Sequence, residues 1–316
     1  MKFALLLGFS HYRDFPALAQ AAEAAGFNSV CMPDSLFYPK TTESEYPYKD
    51  TKVIREYIEA ATFIEPFIAM ATMAAVTSRI RFYPSVMKVP VRQPLVLAKQ
   101  LTSLAVVSNG RVALGAGLGP WKEDFSYNGV RFERRGVLMD ECIAIIRGTM
   151  KGEYFEHHSE NYDFGPLKMN PVPEKPVPIL IGGHAAPALK RAARLGDGWI
   201  SANSDYESLS KLIAELNGYR KEFGTAHRKD FEIHVIDSNA RSARSAGSDR
   251  GRAHRLGAGG ARPAGAARRD QALWRRGRRE VSLISPRPWP AAADSRRAVA
   301  WRESRSLRHR AGRAHR

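Results

Sequence analysis

The segment ILIGGHAAPALKRAARLGDGW (179–199) carries the residues best suited to bind a phosphate. An apolar run ends in Gly182-Gly183, and a helix-like pattern begins two or three residues later. Backbone N–H groups at a helix N-terminus bind phosphate, and glycines let the phosphate approach closely. The pattern favours a phosphate site, with a plain tight turn as the alternative.

A second glycine-rich segment, LGAGLGPW (114–121), has glycines at positions 115, 117 and 119. A dinucleotide-binding loop requires G-x-G-x-x-G with a helix starting inside it. Here the third glycine comes one residue early and Pro120 follows, so that loop is not expected. Glycines at the end of a barrel strand would let a flat ring lie against the backbone. Close packing of the strand on a neighbour is the alternative, and both stay open.

Few other side chains have a spacing that suggests chemistry. Ser85 ends an apolar run and could donate a hydrogen bond to a ligand, or it could simply end a strand. His157 and His158 are adjacent, and adjacent residues on a strand point to opposite faces, so they make a poor metal site. No cysteine or histidine set has the spacing of a zinc site, and we predict no metal.

Short apolar runs alternate with helix-like stretches along the first three quarters of the chain. The predicted strands are 2–9, 27–32, 79–87, 111–118, 177–183, 198–202 and 231–236. The predicted helices are 15–26, 66–77, 94–108, 134–150, 186–196 and 206–224. Strands that alternate with helices indicate an α/β fold with a parallel sheet, because parallel strands require crossover connections.

The number of strands favours one α/β architecture over another. The seven predicted strands are one fewer than the eight of a TIM-type (β/α)8 barrel, so they favour that barrel with one strand missing, and a doubly wound sheet is the alternative. Two segments interrupt the alternation. Residues 33–60 are rich in aromatic residues and turn formers, and a loop of this length is usually functional. Residues 152–168 are predicted to form a hairpin.

The basic charge of the chain is concentrated at one end. The 316 residues carry a formal charge of +17. Residues 238–316 hold 21 arginines, no lysine and 5 acidic residues, whereas residues 1–237 are almost neutral. This tail also lacks Phe, Tyr and Met, so it cannot bury enough apolar surface to offset its ordering entropy. We therefore expect a domain over 1–237 and a low-complexity tail over 238–316 that is disordered or out of frame.

The compartment is predicted from two features of the sequence. Cys31 and Cys142 are the two cysteines and lie far apart, which suits a reducing cytoplasm rather than a disulfide framework. The N-terminal run MKFALLLGFS is brief and is better explained as a buried first strand than as a signal peptide. The apolar stretch 61–76 is too short to span a bilayer, and we expect no membrane segment.

Residues 1–237 resemble the luciferase-like monooxygenase family, in particular its coenzyme F420-dependent oxidoreductase branch. Three segments carry the resemblance: AVTSRIRFYPSVMKVPVRQPLVLAKQLTSLAVVSNGRVALGAGLG, NGVRFERRGVLMDECIAIIRG and PVPILIGGHAAPALKRAARLGDGWI. The resemblance implies a TIM-type barrel, often dimeric, that binds F420 or, alternatively, FMN at the C-terminal ends of its strands. The implied chemistry is hydride transfer between the deazaflavin or flavin and a small organic substrate.

The resemblance also implies which residues contact the cofactor. Ser85-Val86 matches a non-prolyl cis peptide behind the cofactor ring, and Asp34 matches a cofactor-contacting acid. Leu118 and Gly119 match the glycine-rich contacts. The implied phosphate-binding turn consists of Gly182, Gly183, Ala185 and Ala186.

The chain departs from the family pattern in ways that leave the catalytic residues unknown. Ser35 stands where many members have a histidine, and Pro120 stands where some sugar-phosphate dehydrogenases have a glutamate. His11, Tyr38 and Glu123 are the candidates for the proton donor. A sugar phosphate substrate is not indicated.

The tail does not match the family, which continues with a helix, an eighth strand and a closing helix. An out-of-frame reading of GC-rich coding DNA would be rich in Arg, Ala, Gly, Pro and Ser, as this tail is. We therefore expect an incomplete barrel, in which strands 1–7 are present and the eighth strand and closing helices are replaced. Two alternatives stay open: a nucleic-acid-binding protein with a basic C-terminal arm, and a non-catalytic cofactor binder. We expect no specific nucleic acid, although non-specific binding by the tail is possible.

Overall fold

A computed structural model describes residues 2–8, 10–48, 50–202, 204–237 and 253–258. Its strands are β1 Lys2–Leu6, β2 Ser29–Met32, β3 Arg81–Pro84, β4 Met87–Lys88, β5 Leu114–Gly117, β6 Phe155–His158, β7 Asp163–Leu167, β8 Ile179–Gly182, β9 Gly198–Ser201, β10 Glu232–Asp237 and β11 Ala253–Ala258. Its helices are α1 Phe15–Ala24, α2 Thr51–Ala60, α3 Pro66–Ala74, α4 Pro94–Val107, α5 Lys122–Ser126, α6 Arg135–Thr149, α7 Ala186–Leu195 and α8 Tyr206–Glu222.

The main sheet is parallel and closes into a barrel. Its order is β3-β2-β1-β11-β10-β9-β8-β5-β4. Strands β3 and β4 follow each other directly along the chain, and a bridge between Phe82 and Val112 joins β3 to the segment that leads into β5. The two ends of the sheet therefore meet, and β3 and β4 share one position of an eight-position ring. This confirms the TIM-type barrel over the doubly wound sheet.

The eighth position of the barrel differs from the sequence prediction. Strand β11 pairs in parallel with β1, where Lys2 is opposite His254, and with β10, where Ile233 is opposite Ala253. A strand thus occupies the position that we expected to lack one, while the completeness of the barrel stays a prediction. A parallel ladder is made of backbone groups, so a segment without an apolar pattern can fill it. The compact unit that contains the barrel spans Met1–Ala261.

The rest of the tail lies outside the described residues. Three predictions therefore lie outside the described residues: the replacement of the closing helices, the arginine-rich stretch after β11 and the disorder of the tail. The domain boundary at residue 237 and the out-of-frame origin of the tail stay predictions.

The predicted elements of residues 1–237 are present. All seven predicted strands occur, and β6 and β7 form the predicted antiparallel hairpin. Helices α3 and α4 begin at Pro66 and Pro94, because proline suits the first turn of a helix, where its missing N–H costs nothing. Two helices were not predicted. One is α2, inside the segment predicted to be a loop, and the other is the short α5.

The core has two parts. A large cluster packs between the strands and the helices, and a small cluster fills the barrel with side chains from successive strands, among them Ala4, Cys31, Tyr83, Leu180 and Ile200. Both cysteines are buried and free, so the absence of a disulfide agrees with the prediction. No helix in the described part of the chain is long and apolar enough to cross a membrane.

The hairpin places its two histidines on opposite faces, as predicted. His157 faces Glu141, with Nε2 and Oε2 3.7 Å apart, while the exposed His158 bonds Asp163 across 2.6 Å. Among the described residues no group of three or more side chains could hold a metal ion.

Candidate cofactor and substrate site

A cavity of about 370 Å³ opens at the C-terminal ends of the barrel strands. Its volume falls within the range of small-molecule sites. Loops at this face of a barrel carry the functional residues, because all eight strands point their carboxyl ends there. The cavity brings together residues from the ends of β2, β4, β5, β8, β9 and β10, and residues from α2 and the loop before it.

The cavity collects nearly all of the residues that the resemblance implies as cofactor contacts. Its lining includes Asp34, Ser85, Val86, Leu118, Gly119, Gly182, Gly183 and Ala185. Ala186 does not line it and is the first residue of α7. The cofactor roles of these nine residues stay a prediction.

Asp34 is held in a fixed position by three hydrogen bonds. Its carboxylate accepts from both terminal nitrogens of Arg92, at 2.8 and 2.9 Å, and from the backbone N–H of Lys88 at 2.8 Å. Its side chain is only 1% exposed. The bidentate pair is the strong form of this interaction. Asp34 therefore ties the end of β2 to the end of β4 at the cavity.

Ser85 presents an unpaired hydroxyl at the cavity. Its Oγ is buried and has no hydrogen-bond partner among the described residues, while its N–H donates to the Met32 carbonyl at 2.7 Å. The Ser85–Val86 peptide bond is cis, as the resemblance implies. A buried polar atom without a partner is unusual in a native protein. The Ser85 hydroxyl is thus available to a ligand.

The glycines of the strand ends are required by close packing. A Cβ on Gly117 would lie 2.3 Å from Cγ2 of Val86, and a Cβ on Gly182 would lie 2.9 Å from its Cγ1. A Cβ on Gly115 would lie 1.8 Å from the Pro84 carbonyl oxygen. The packing alternative therefore accounts for Gly115 and Gly117. We call the apolar base of the cavity, made of Ser85, Val86, Gly117, Gly182, Ile200 and Ile236, the strand-end floor.

The turn between β8 and α7, which the sequence predicts to bind a phosphate, borders the cavity. Gly183 has a φ of 119°, which favours glycine, and α7 begins without a side-chain cap on Ala185. The Tyr48 hydroxyl accepts a hydrogen bond from the backbone N–H of His184. Arg135, at the start of α6, also lines the cavity and makes no ion pair with any described residue. Burial lowers the pKa of Arg135, although the guanidinium stays charged at neutral pH.

A buried ion pair lies behind Gly119. Nζ of Lys88 is 2.5 Å from Oδ2 of Asp124, and both side chains are buried. Burial raises the pKa of Asp124 and the Lys88 charge opposes the rise. Gly119 has a φ of 84° and packs on the aliphatic stem of Lys88. Lys88 lines the cavity, but its charge is neutralised by Asp124.

A second part of the cavity lining was missed as a set by the sequence reasoning. We call it the aromatic wall, and it consists of Tyr46, Tyr48, Ile54, Tyr57, Ile58 and Phe63. Tyr46 stacks on Trp121 with ring centroids 5.9 Å apart, and the Tyr57 hydroxyl donates to the Gly8 carbonyl. Burial raises the pKa of Tyr46 and of Tyr57 to about 12, so both phenols are neutral at neutral pH. The aromatic content of residues 33–60 was the signal for this wall.

His184 was also missed, although it directly follows the predicted glycine pair. Its ring contacts Tyr48 edge to face at 4.9 Å, and its Nε2 accepts the N–H of Ala202 at 3.0 Å. A backbone N–H can only donate, so Nε2 is unprotonated and the neutral ring has its proton on Nδ1. Burial lowers the pKa of His184.

The three candidates for the proton donor do not line the cavity. His11 is exposed and accepts the N–H of Arg13, and the Tyr38 hydroxyl accepts from Arg55. Glu123 is on α5 and has one buried oxygen without a partner among the described residues. The lining instead offers four ring groups that can carry a proton, Tyr46, Tyr48, Tyr57 and His184, beside the hydroxyls of Ser35 and Ser85 and the ion-paired Asp34 and Lys88.

Known proteins similar to this chain share its fold and most of its length. A family model described as luciferase-like monooxygenase matches residues 1–311. An uncharacterized protein of Mycobacterium tuberculosis is 46% identical over 236 residues, which cover 75% of this chain and 81% of that protein.

Two further proteins are similar at lower identity. An F420-dependent glucose-6-phosphate dehydrogenase of Tsukamurella paurometabola is 29% identical over 222 residues, which cover 65% of this chain and 60% of that protein. The solved structure of an F420-dependent secondary alcohol dehydrogenase, in complex with an F420–acetone adduct, matches with a TM-score of 0.61 at 17% identity. That match covers 74% of this chain and 68% of the other. At that identity the likeness shows the fold alone.

Proposed function

Because the chain belongs to the luciferase-like monooxygenase family, whose members are F420- or flavin-dependent oxidoreductases, we propose that it transfers a hydride between coenzyme F420 and a small organic substrate. FMN is the alternative cofactor. F420 is preferred because a relative at 29% identity is named as F420-dependent. The observation that carries the proposal is the convergence of the strand-end floor, the β8–α7 turn and Arg135 on one cavity.

The cavity offers polar groups that fit a phosphorylated flavin or deazaflavin. The buried Ser85 hydroxyl has no protein partner in the described part of the chain and suits a polar atom of a ring. Arg135 makes no ion pair in the described part of the chain, although the charge of Glu133 acts on it and its Nη1 donates to the Phe132 carbonyl at 2.8 Å. Its neighbour Gly136 accepts a hydrogen bond from Arg191 of α7 at 3.1 Å. Two independent features of this chain thus match the two ends of the proposed cofactor.

The phosphate end would be held by the β8–α7 turn. The backbone N–H groups of Ala185 and Ala186 would supply a partial positive charge, since Pro187 has no N–H and Ala188 donates to the Ala185 carbonyl, and Arg135 adds a full charge. The Tyr48 hydroxyl accepts from the His184 N–H and retains its own proton to donate to an anion.

The ring end would lie against the strand-end floor. Val86 fills the space that Gly117 and Gly182 leave free, which gives the floor a fixed apolar surface. Asp34 and Arg92 lock the neighbouring strand ends to each other. When bound, a deazaflavin or flavin accepts a hydride from the substrate or donates one to it, while the substrate loses or gains one proton. That proton must come from or go to solvent or a group of the cavity.

We propose that this group is one of Tyr48, Tyr57 and His184. Burial raises the pKa of each tyrosine, so each holds its proton at neutral pH, although Tyr57 already donates its proton to the Gly8 carbonyl. His184 is neutral, with its Nδ1 proton not engaged by the Ala202 contact.

The proposal is tested by titrating the full chain with F420 and with FMN, followed by fluorescence. We expect saturable binding of one of them. Arg135→Gln should weaken it about tenfold, the loss of one charge-assisted hydrogen bond. The matched control is Arg134→Gln, since Arg134 is paired with the exposed Glu160 and does not line the cavity.

Analogues without phosphate provide the second control. Riboflavin and the phosphate-free deazaflavin should bind equally to the parent chain and to Arg135→Gln. No saturable binding of either cofactor would overturn the proposal. Equal effects of the two arginine variants would overturn the assignment of Arg135 to the phosphate.

The remaining sequence predictions are proposals of the same kind. We propose a cytoplasmic enzyme, a homodimer, and an out-of-frame tail from about residue 238. The match to the mycobacterial protein extends over 236 residues, whereas the family model reaches residue 311, so the reading frame of the tail needs a direct test. The test is to translate all three frames of codons 230–316. A helix, an apolar strand and a closing helix in another frame are expected, and their absence would contradict the proposal. If those elements are absent from the other frames, the basic tail becomes a candidate nucleic-acid-binding element again.

A further inference from the structure

Helix α2 presents an apolar face to the cavity instead of to the protein core. Ile54, Tyr57 and Ile58 line the cavity, at the i, i+3 and i+4 positions of one helix face. No residue of α2 is fully buried. An amphipathic helix normally covers its apolar face with core. Here that face is turned toward the space in which a ligand would bind.

The charged residues of α2 lie on its other faces. Lys52, Arg55, Glu56 and Glu59 do not line the cavity. Arg55 instead donates to the Tyr38 hydroxyl and to the carbonyls of Pro39 and Lys40, so it holds the preceding loop. The sequence of α2 therefore separates an apolar inner face from a charged outer one.

The charged side chains in the rest of the cavity either form ion pairs or are assigned to the cofactor phosphate. Asp34 is paired with Arg92, and Lys88 is paired with Asp124. Arg135 is the one cation of the described lining without an ion pair, and the proposed function assigns it to the cofactor phosphate. The aromatic wall has no described group to balance a charged substrate, and burial of an unpaired charge there would be costly.

We infer that the substrate is an uncharged, predominantly apolar molecule whose hydrocarbon part lies against Ile54, Tyr57, Ile58 and Phe63. The inference rests on the proposed function, since it assigns the space left beside a cofactor on the strand-end floor. A phosphate- or carboxylate-bearing substrate does not fit this wall. The chain thus differs in substrate class from its relative named as a glucose-6-phosphate dehydrogenase.

The experiment compares two probes of equal chain length, octanal and 8-oxooctanoate, by calorimetric titration of the full chain with and without saturating cofactor. We expect octanal to bind at least about tenfold more tightly, because the carboxylate would lose its hydration without gaining a partner. Equal or tighter binding of 8-oxooctanoate would overturn the inference.

The matched variants are Ile58→Lys on the inner face and Val53→Lys on the outer face. Each replaces a β-branched apolar residue of α2 with lysine, and Val53 is 57% exposed and away from the cavity. Ile58→Lys should weaken octanal about tenfold and strengthen 8-oxooctanoate, whereas Val53→Lys should change neither. Equal behaviour of the two variants would overturn the inference. Circular dichroism checks that both are folded.

The two proposals fail in different ways. If neither F420 nor FMN binds but octanal still does, the proposed function is wrong and the apolar preference of the wall stands. If a cofactor binds but 8-oxooctanoate is preferred, the proposed function stands and the inference is wrong.

Discussion

The strand-end floor and the aromatic wall line one cavity but are built differently. The floor is part of the barrel, and its glycines fit neighbouring side chains so closely that an added Cβ would overlap them. The wall comes from one inserted segment, and its helix α2 has no fully buried residue. The floor is therefore specified by the fold, whereas the wall can change its side chains at little cost to stability.

This difference separates two tasks within the site. A cofactor with a constant shape suits a rigid surface made by strands that the barrel needs in any case. A substrate that varies among relatives suits a surface whose residues do not hold the core together. Substitutions in the floor should lower the free energy of unfolding, and substitutions in the wall should chiefly alter binding.

The largest effect is expected for Asp34→Ala, at the edge of the floor. The variant leaves the guanidinium of Arg92, 13% exposed, without its carboxylate. Removing one partner of a buried pair costs about 3–5 kcal/mol. Urea unfolding measures this cost. Arg55→Ala, which removes three hydrogen bonds of the wall's loop, should cost less, about 1–2 kcal/mol, because water can replace the guanidinium at these partly exposed acceptors. Equal costs would remove the distinction between floor and wall.

Gly115→Ala tests the close packing of the strand ends. Its Cβ would lie 1.8 Å from the Pro84 carbonyl oxygen, so a backbone must shift. We expect a loss of about 3 kcal/mol, the upper end of overpacking costs. Gly218→Ala is the control, because it lies within α8 and a Cβ there meets no atom within 4 Å. That change should stabilise the protein by about 0.5–1 kcal/mol. A tolerated Gly115→Ala would contradict the packing argument.

Acid should destabilise the barrel interior rather than the wall. Burial alone would raise the pKa of Glu232, but the bond from His234 and the charge of Arg81 outweigh it and lower the pKa to about 2. A lowered folded-state pKa gives stability above the unfolded value near 4.5, and that stability is lost as pH falls toward about 2. After allowance for partial exposure we expect about 2 kcal/mol.

Urea unfolding of the parent chain and of Glu232→Gln, over a pH series, measures this contribution. The acid-dependent loss should shrink in the variant. Burial also lowers the pKa of His234, which acts in the same direction because the buried ring must become charged in acid. An unchanged pH profile in Glu232→Gln would show that the buried pair is not the source.

The smallest effect is expected for Tyr57→Phe in the wall. The variant loses the hydrogen bond to the Gly8 carbonyl, worth about 1 kcal/mol or less of stability. Tyr206→Phe, at an exposed residue on α8, is the neutral reference for the same chemical change. A loss above about 2 kcal/mol in the Tyr57 variant, measured by thermal unfolding, would mean that the wall is as integral to the fold as the floor.

Two elements show why the sequence predictions were uneven. Strands β8 and β9 were located closely, because a strand buried on both faces has a continuous apolar run. The sequence analysis predicts a loop where helix α2 lies. Two signals of the helix are present, however: Asp50 caps it by accepting the N–H of Val53, and its apolar residues have helical spacing. The aromatic and turn-forming residues before it concealed these signals. The eighth strand, at 253–258, has no apolar pattern at all.

The sequence by itself determined the barrel, the positions of seven strands and the glycine turn before α7. These depend on short-range patterns, in which each residue constrains its neighbours along the chain. Only the tertiary structure decided that Asp34 is bound by Arg92, 58 residues away, and that His184 contacts Tyr48. It also decided that the apolar face of α2 borders a cavity. The physical reason is that amphipathic spacing specifies which residues share a face, whereas what covers that face depends on contacts between distant parts of the chain.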